Sequence, residues 1–132
     1  MIEKKYDVVI ACGGSGTRLR EITHNIPKPL FQVENMSTLE RCIQELNDYK
    51  FENLIITTGY KSEIFEEYVV SLNKKYGIEI DIFIEEKPLG ECGALWIIKE
   101  KLCDDFIFIN GDLIFSIDFK KLFSFHKRLA SN

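Results

Sequence analysis

Glycine dominates the segment Cys12-Gly13-Gly14-Ser15-Gly16-Thr17-Arg18-Leu19-Arg20, which follows an apolar stretch near the start of the chain. Three glycines let the backbone approach a ligand closely and aim N–H groups at one anion. Arg18 adds a planar, permanently charged fork suited to phosphate oxygens. The spacing excludes two common phosphate loops. A Walker loop needs Gly-Lys-Ser/Thr, but Gly16 is followed by Thr17 and Arg18; the dinucleotide pattern needs a glycine where Leu19 stands.

Further along lies Ile26-Pro27-Lys28-Pro29-Leu30, where the two prolines are expected to hold the backbone extended on either side of Lys28. A cation fixed in this way can hold a phosphate whose charge grows during a reaction. Asn110-Gly111-Asp112 places a carboxylate beyond a flexible glycine. Asp112 suits Mg²⁺, which takes one or two protein carboxylates and completes its octahedron with water and substrate phosphates. In Glu85-Glu86-Lys87-Pro88-Leu89-Gly90-Glu91-Cys92-Gly93-Ala94, the glycines at a helix entry would let a flat base lie against the backbone. Glu85 or Glu86 could accept two hydrogen bonds from adjacent donors on that base.

These segments need strands to hold them. Asp7–Ala11, Leu54–Thr58, Ile78–Ile84 and Phe106–Ile109 read as strands from their apolar or alternating character. Helices alternate with them. Ser37–Asp48 opens with a capping box (Ser37, Glu40) and carries Leu39, Cys42, Ile43 and Leu46 on one face. Phe65, Tyr68, Val69 and Leu72 repeat that spacing, a third helix spans roughly Gly90–Leu102 with Trp96 in a core or half-buried role, and a fourth starts at Asp118 with Phe119, Leu122, Phe123 and His126 on one side. Regular alternation of this kind predicts a doubly wound α/β fold, a mostly parallel sheet with helices on both faces. Ligands of such sheets bind at the carboxyl ends of the strands, where each of the chemical segments falls.

Composition narrows the class. The 132 residues are 45% apolar and 29% charged with a net charge of −4, the balance of one globular domain. The 17 basic residues are scattered, which argues against a nucleic-acid or anionic-membrane surface. No apolar run is long enough to span a bilayer and the N-terminus lacks a signal-peptide stretch, so a cytoplasmic location is expected. Cys12, Cys42, Cys92 and Cys103 lie 30, 50 and 11 residues apart, which fits no metal pattern and predicts reduced structural thiols. His24 and His126 form no metal-binding pair and read as surface residues. The chain stops just after the fourth helix pattern, early for an open sheet of this kind.

Taken in order, Cys12-Gly-Gly-Ser-Gly-Thr-Arg-Leu19, Pro27-Lys28-Pro29, Glu85 with Pro88-Leu89-Gly90-Glu91-Cys92-Gly93-Ala94, and Asn110-Gly111-Asp112 resemble the sugar-1-phosphate nucleotidylyltransferases over residues 7 to about 128. The Pro-Leu-Gly-x-x-Gly-Ala segment is most similar to guanylyltransferases acting on mannose 1-phosphate or heptose 1-phosphate. Transfer of a nucleoside monophosphate from an NTP, GTP foremost, to a sugar 1-phosphate is the reaction this resemblance implies, giving NDP-sugar and pyrophosphate. It also implies that Arg18, Lys28 and Asp112 are catalytic and that Asp112 holds Mg²⁺. Cys12, Gly13, Gly14, Ser15, Gly16, Thr17, Arg18, Glu85, Pro88, Gly90 and Gly93 would bind the nucleotide. Glu85 matches the position that contacts the base, and a carboxylate suits the adjacent N1–H and N2–H₂ donors of guanine. In the family a later part of the domain, beyond these residues, supplies a second metal-binding aspartate and most sugar contacts, so the resemblance implies that residues 1–132 form the nucleotide-binding N-terminal part of a nucleotidyltransferase domain. Glu91 and Cys92 stand where relatives often carry small residues. Two alternatives stay open: a non-catalytic module that binds nucleotide or nucleotide sugar, and uridylyl or cytidylyl transfer to another phosphorylated acceptor.

Overall fold

The computed structural model describes residues 6–13, 26–59, 61–90 and 92–130. The first strand, β1, is Tyr6–Ala11. A short antiparallel hairpin follows, β2 (Gln32–Val33) and β3 (Met36–Ser37). Then come helix α1 (Thr38–Asn47), strand β4 (Phe51–Thr58) and helix α2 (Ser62–Tyr76). Strand β5 (Ile80–Ile84), helix α3 (Gly93–Ile98), strand β6 (Phe106–Asn110) and helix α4 (Phe119–Ala130) complete the order.

The four strands expected from the sequence form one parallel sheet in the order β5-β4-β1-β6. β1 is its centre, with Ile10 opposite Ile56 of β4 on one side and Ile109 of β6 on the other. Alternate residues of β1 serve opposite faces, as the strand period requires. Val8 and Ile10 pack with Leu39, Ile43 and Leu46 of α1, Phe65 and Leu72 of α2, and Phe119 of α4. Val9 packs on the other face with Ile55 and with Ile98 of α3, flanked by Phe83 and Leu95. Burying each such side chain contributes about 1.5–3 kcal/mol, so the larger cluster does most of the stabilising. The doubly wound reading holds, with the two faces unequally covered.

Three local readings are corrected. The third helix is shorter than Gly90–Leu102: α3 ends at Ile98 and a 3₁₀ turn carries Lys99–Lys101. Its inward stripe is Ala94 and Ile98, which turns Trp96 outward to 72% exposure, with the Lys99 ammonium 3.6 Å from the centre of its ring. On α4 Phe119 is buried and Phe123 stacks on Tyr6 of β1 with ring centres 3.6 Å apart, but Leu122 is exposed and His126 pairs at the surface with Asp105, 2.9 Å away.

The capping box is half formed. Ser37 Oγ accepts from the Glu40 amide at 3.0 Å, but the Glu40 carboxylate does not return the contact. It turns instead toward α2, where it accepts from Tyr68 Oη at 3.1 Å, from Tyr76 Oη at 2.7 Å and from Lys75 Nζ. Burial pushes the Glu40 carboxyl up, but the hydrogen bonds from Lys75, Tyr76 and Tyr68 outweigh it and leave its pKa below the ordinary value. A depressed carboxyl stabilises the fold above the unfolded-state pKa of about 4.3 and loses that contribution as pH falls through the lower folded-state value. Glu40→Gln is therefore expected to cost about 1–2 kcal/mol at neutral pH. Urea unfolding of both proteins from neutral pH down to about pH 3 should show the gap closing on the acid side. A gap independent of pH would mean that ionised Glu40 is not what joins α1 to α2.

Candidate functional site

The chain winds from β1 through β4 to β5, then crosses back to place β6 on the other side of β1. Strand order therefore reverses between β1 and β6, and a crevice at such a point, outside the carboxyl ends of the strands, is where open α/β sheets bind ligands. The residues that follow the four strand ends are Cys12-Gly13 after β1, Gly59 after β4, Glu85 after β5 and Gly111-Asp112 after β6.

Gly111 is wedged against β1. Its amide donates to the Ala11 carbonyl at 2.9 Å, and a Cβ there would lie 2.5 Å from Cys12 Sγ and 3.2 Å from Ile10 Cγ2. Glycine is needed here for close approach, not for the flexibility expected from the sequence. The turn presents Asp112 half-buried, where Oδ2 meets Lys28 Nζ at 2.9 Å. Lys28 does not lie in a fully extended stretch: Pro27 is extended, but Lys28–Leu30 form a single 3₁₀ turn closed by the Leu30 amide donating to the Pro27 carbonyl at 2.8 Å. Pro29 fits that turn because its missing N–H falls where the helix leaves donors unpaired. The turn buries Pro29 and Leu30 and leaves Lys28 facing the Asp112 carboxylate.

Sequence reasoning missed the residue between these turns. Thr38, the first residue of α1, donates its hydroxyl to the Gly111 carbonyl at 2.9 Å, with the Pro29 carbonyl at 3.2 Å. The available signal was a second hydroxyl residue beside the Ser37 cap, which read only as a helix start.

Across the crevice, the Glu85 amide continues the sheet by donating to the Thr58 carbonyl at 2.6 Å. Its half-buried side chain leans over β1, so that a Cβ on Gly13 would lie 2.8 Å from Glu85 Oε1. Glu86 is exposed. Pro88 and Gly90 lie exposed in the loop that leads to α3, Gly90 with a φ of +78° that glycine adopts without strain. Gly93 opens α3, where a Cβ would meet Leu89 Cβ at 2.4 Å, so this loop also folds tightly upon itself.

Cys12 plays a supporting part. Its amide is committed to the Thr57 carbonyl at 2.7 Å and its side chain is buried. Burial, then the nearby Cys42 and Asp112, raise its thiol pKa well above the ordinary value, which keeps it protonated and unreactive. Cys42 is also buried, whereas Cys92 is exposed and Cys103 partly so. Gly14, Ser15, Gly16, Thr17, Arg18, His24 and Glu91 lie outside the described residues. Among the described residues no three His, Cys, Asp or Glu side chains gather into a metal cluster, and no helix is long and apolar enough to cross a membrane.

Comparison with known proteins bears on this arrangement. A family model described as nucleotidyl transferase matches residues 7–132. A D-glycero-alpha-D-manno-heptose 1-phosphate guanylyltransferase of Aneurinibacillus thermoaerophilus is 36% identical over 121 residues, covering 91% of this chain and 52% of that protein. A mannose-1-phosphate guanyltransferase of Neurospora crassa is 36% identical over 122 residues, covering 90% of this chain and 34% of that protein. Among solved structures, HddC from Yersinia pseudotuberculosis complexed with GMP-PN superposes with a TM-score of 0.79 at 34% identity, covering 90% of this chain and 53% of that one. The chain thus spans about half the length of the heptose relative and about a third of the mannose relative.

Proposed function

The chain belongs to the nucleotidyl transferase family, and from that membership we propose that it forms the nucleotide-binding N-terminal part of an enzyme that transfers GMP from GTP to a sugar 1-phosphate. The observation that carries the reading is the Lys28–Asp112 pair, 2.9 Å apart at the reversal of strand order. Two motifs distant in sequence meet there, a cation and an anion side by side in the crevice where a triphosphate would lie. The guanylyltransferases among the relatives, and the nucleotide analogue in the HddC complex, support GTP as the donor.

In the reaction a phosphate oxygen of the sugar 1-phosphate attacks the α-phosphorus, the bond from that phosphorus to the bridging oxygen breaks, and pyrophosphate leaves with the bonding electrons. No covalent nucleophile is required. Lys28 offsets charge as two anions approach, and Arg18 with the amides of Gly13 to Thr17 holds the leaving phosphates. Glu85 reads the base beside Gly13, with Pro88, Gly90 and Gly93 shaping the loop against which the base lies. Asp112, a half-buried carboxylate whose Oδ2 meets Lys28, would hold Mg²⁺, which takes one or two protein carboxylates and is completed by phosphates and water. Bound there, the ion supplies positive charge to the triphosphate. A nucleotide donor fits the cytoplasm expected from the sequence.

Calorimetric titration of the chain with GTP, UTP, CTP and ATP in Mg²⁺ tests the donor, and pyrophosphate release by the full-length enzyme with mannose 1-phosphate or heptose 1-phosphate tests the reaction. GTP is expected to bind at least about tenfold more tightly than UTP, a margin of about 1.4 kcal/mol that one base contact supplies. A folded chain that binds none of the four overturns the proposal. Selective GTP binding with no pyrophosphate released would support the non-catalytic module instead.

A further inference from the structure

We propose that Thr38 is a positioning residue whose hydroxyl links the Lys28 turn to the Asp112 turn and so sets the Lys28–Asp112 pair. The inference rests on the reading above, in which that pair works on the nucleotide. Its own basis is geometric. The Thr38 hydroxyl has one proton and two carbonyl oxygens in reach, that of Gly111 at 2.9 Å and that of Pro29 at 3.2 Å. Each carbonyl is adjacent in sequence to one member of the ion pair.

The two turns have little else in common. Among the described residues no backbone hydrogen bond joins them: the Leu30 and Phe31 amides close the first turn on itself, and the Gly111 amide is spent on Ala11. The ion pair is open to solvent, with Lys28 43% and Asp112 31% exposed, and an exposed pair does little to hold backbone in place. Thr38 itself is firmly held. It begins α1, whose entry is fixed by the Ser37 cap on the Glu40 amide and by Leu39, which is fully buried. A β-branched side chain also has few χ1 rotamers, and the Gly111 and Pro29 carbonyls select among them the one that points the hydroxyl between the turns. The helix is thus a rigid post on which both turns hang.

Thr38→Val keeps the shape and removes the hydroxyl, and Thr38→Ser keeps the hydroxyl. The test compares residue-resolved amide hydrogen exchange and GTP affinity in Mg²⁺ in the wild-type chain and both variants, and steady-state transfer in the full-length enzyme carrying each. In Thr38→Val, exchange is expected to quicken at both the Gly111 and the Leu30 amides by at least about fivefold, through freer local opening. Turnover should fall about five- to tenfold with a smaller change in KM, the mark of misplaced groups rather than lost binding. Thr38→Ser should recover most of both effects. Should Thr38→Val not fold, Thr38→Ala removes the hydroxyl without a branched replacement. Unchanged exchange at either amide in a folded variant overturns the link, and so does a loss that serine fails to recover. Wild-type turnover in Thr38→Val overturns its positioning role. If the full-length wild-type enzyme transfers no nucleotide, the reaction fails and Thr38's part in it with it, while the exchange rates, read without nucleotide, still decide whether Thr38 joins the turns.

Discussion

Asp112→Ala is expected to lower guanylyl transfer at least about a hundredfold, the scale on which a group offsetting transition-state charge is missed. The fold should barely register the change. Asp112 is partly exposed, its protein partner is the equally open Lys28, and a surface ion pair contributes only about 0–1 kcal/mol to stability. Thermal unfolding should therefore match the wild type within a few degrees while the rate collapses. Asp112→Asn sharpens the result: it keeps the size and one oxygen, but loses the charge that a cation or Lys28 requires, and should be nearly as slow. Steady-state rates at saturating GTP, with unfolding curves on the same samples, check the expectation. A rate within tenfold of wild type from a folded Asp112→Ala protein would remove Asp112 from the site. Lys28→Ala combined with Asp112→Ala should cost less than the product of the single effects, because the two side chains act on each other as well as on the ligand.

That pair also marks where the sequence stops being informative. The strands were readable because buried parallel strands are short apolar runs with crossovers long enough for a helix, and β1, β4 and β6 fall where such runs stand, while β5, at the sheet edge, falls where Ile alternates with Glu79 and Asp81. The approximate places of α1 and α2 followed from one-face spacing. Sheet order did not follow, since nothing local in Phe106–Asn110 says that it pairs with β1 rather than extending the sheet beyond β5. Without that order, Lys28 and Asp112 are one cation and one anion far apart in sequence, and their meeting at 2.9 Å comes only from the fold. Trp96 was misplaced for a related reason: its size argues for burial, yet the smaller Ala94 and the Ile98 side chain define the inward stripe of α3. Glu40 looked like a capping partner from its spacing to Ser37, and its real partners sit on α2, out of reach of any local pattern.

Glu85→Gln should erase most of the preference for GTP over UTP. Guanine offers two adjacent donors, N1–H and N2–H₂, and an ionised carboxylate accepts both. A glutamine offers one acceptor and one donor, so one of guanine's donors would face an N–H group. The mismatch costs about 1–3 kcal/mol, a ten- to hundredfold loss for GTP. Uracil presents a donor flanked by acceptors, so the amide suits it better than the carboxylate does, and the two changes push the ratio of kcat/KM values in the same direction. The position of Glu85 makes this a fair test. Its amide is tied to Thr58 at 2.6 Å, and its carboxylate rests where a Cβ on Gly13 would come within 2.8 Å, so the isosteric amide can occupy the same place beside a residue that offers only backbone. An unchanged GTP-to-UTP ratio would show that Glu85 does not read the base. The parallel substitution Glu86→Gln, made at an exposed side chain, is expected to leave the ratio as it is.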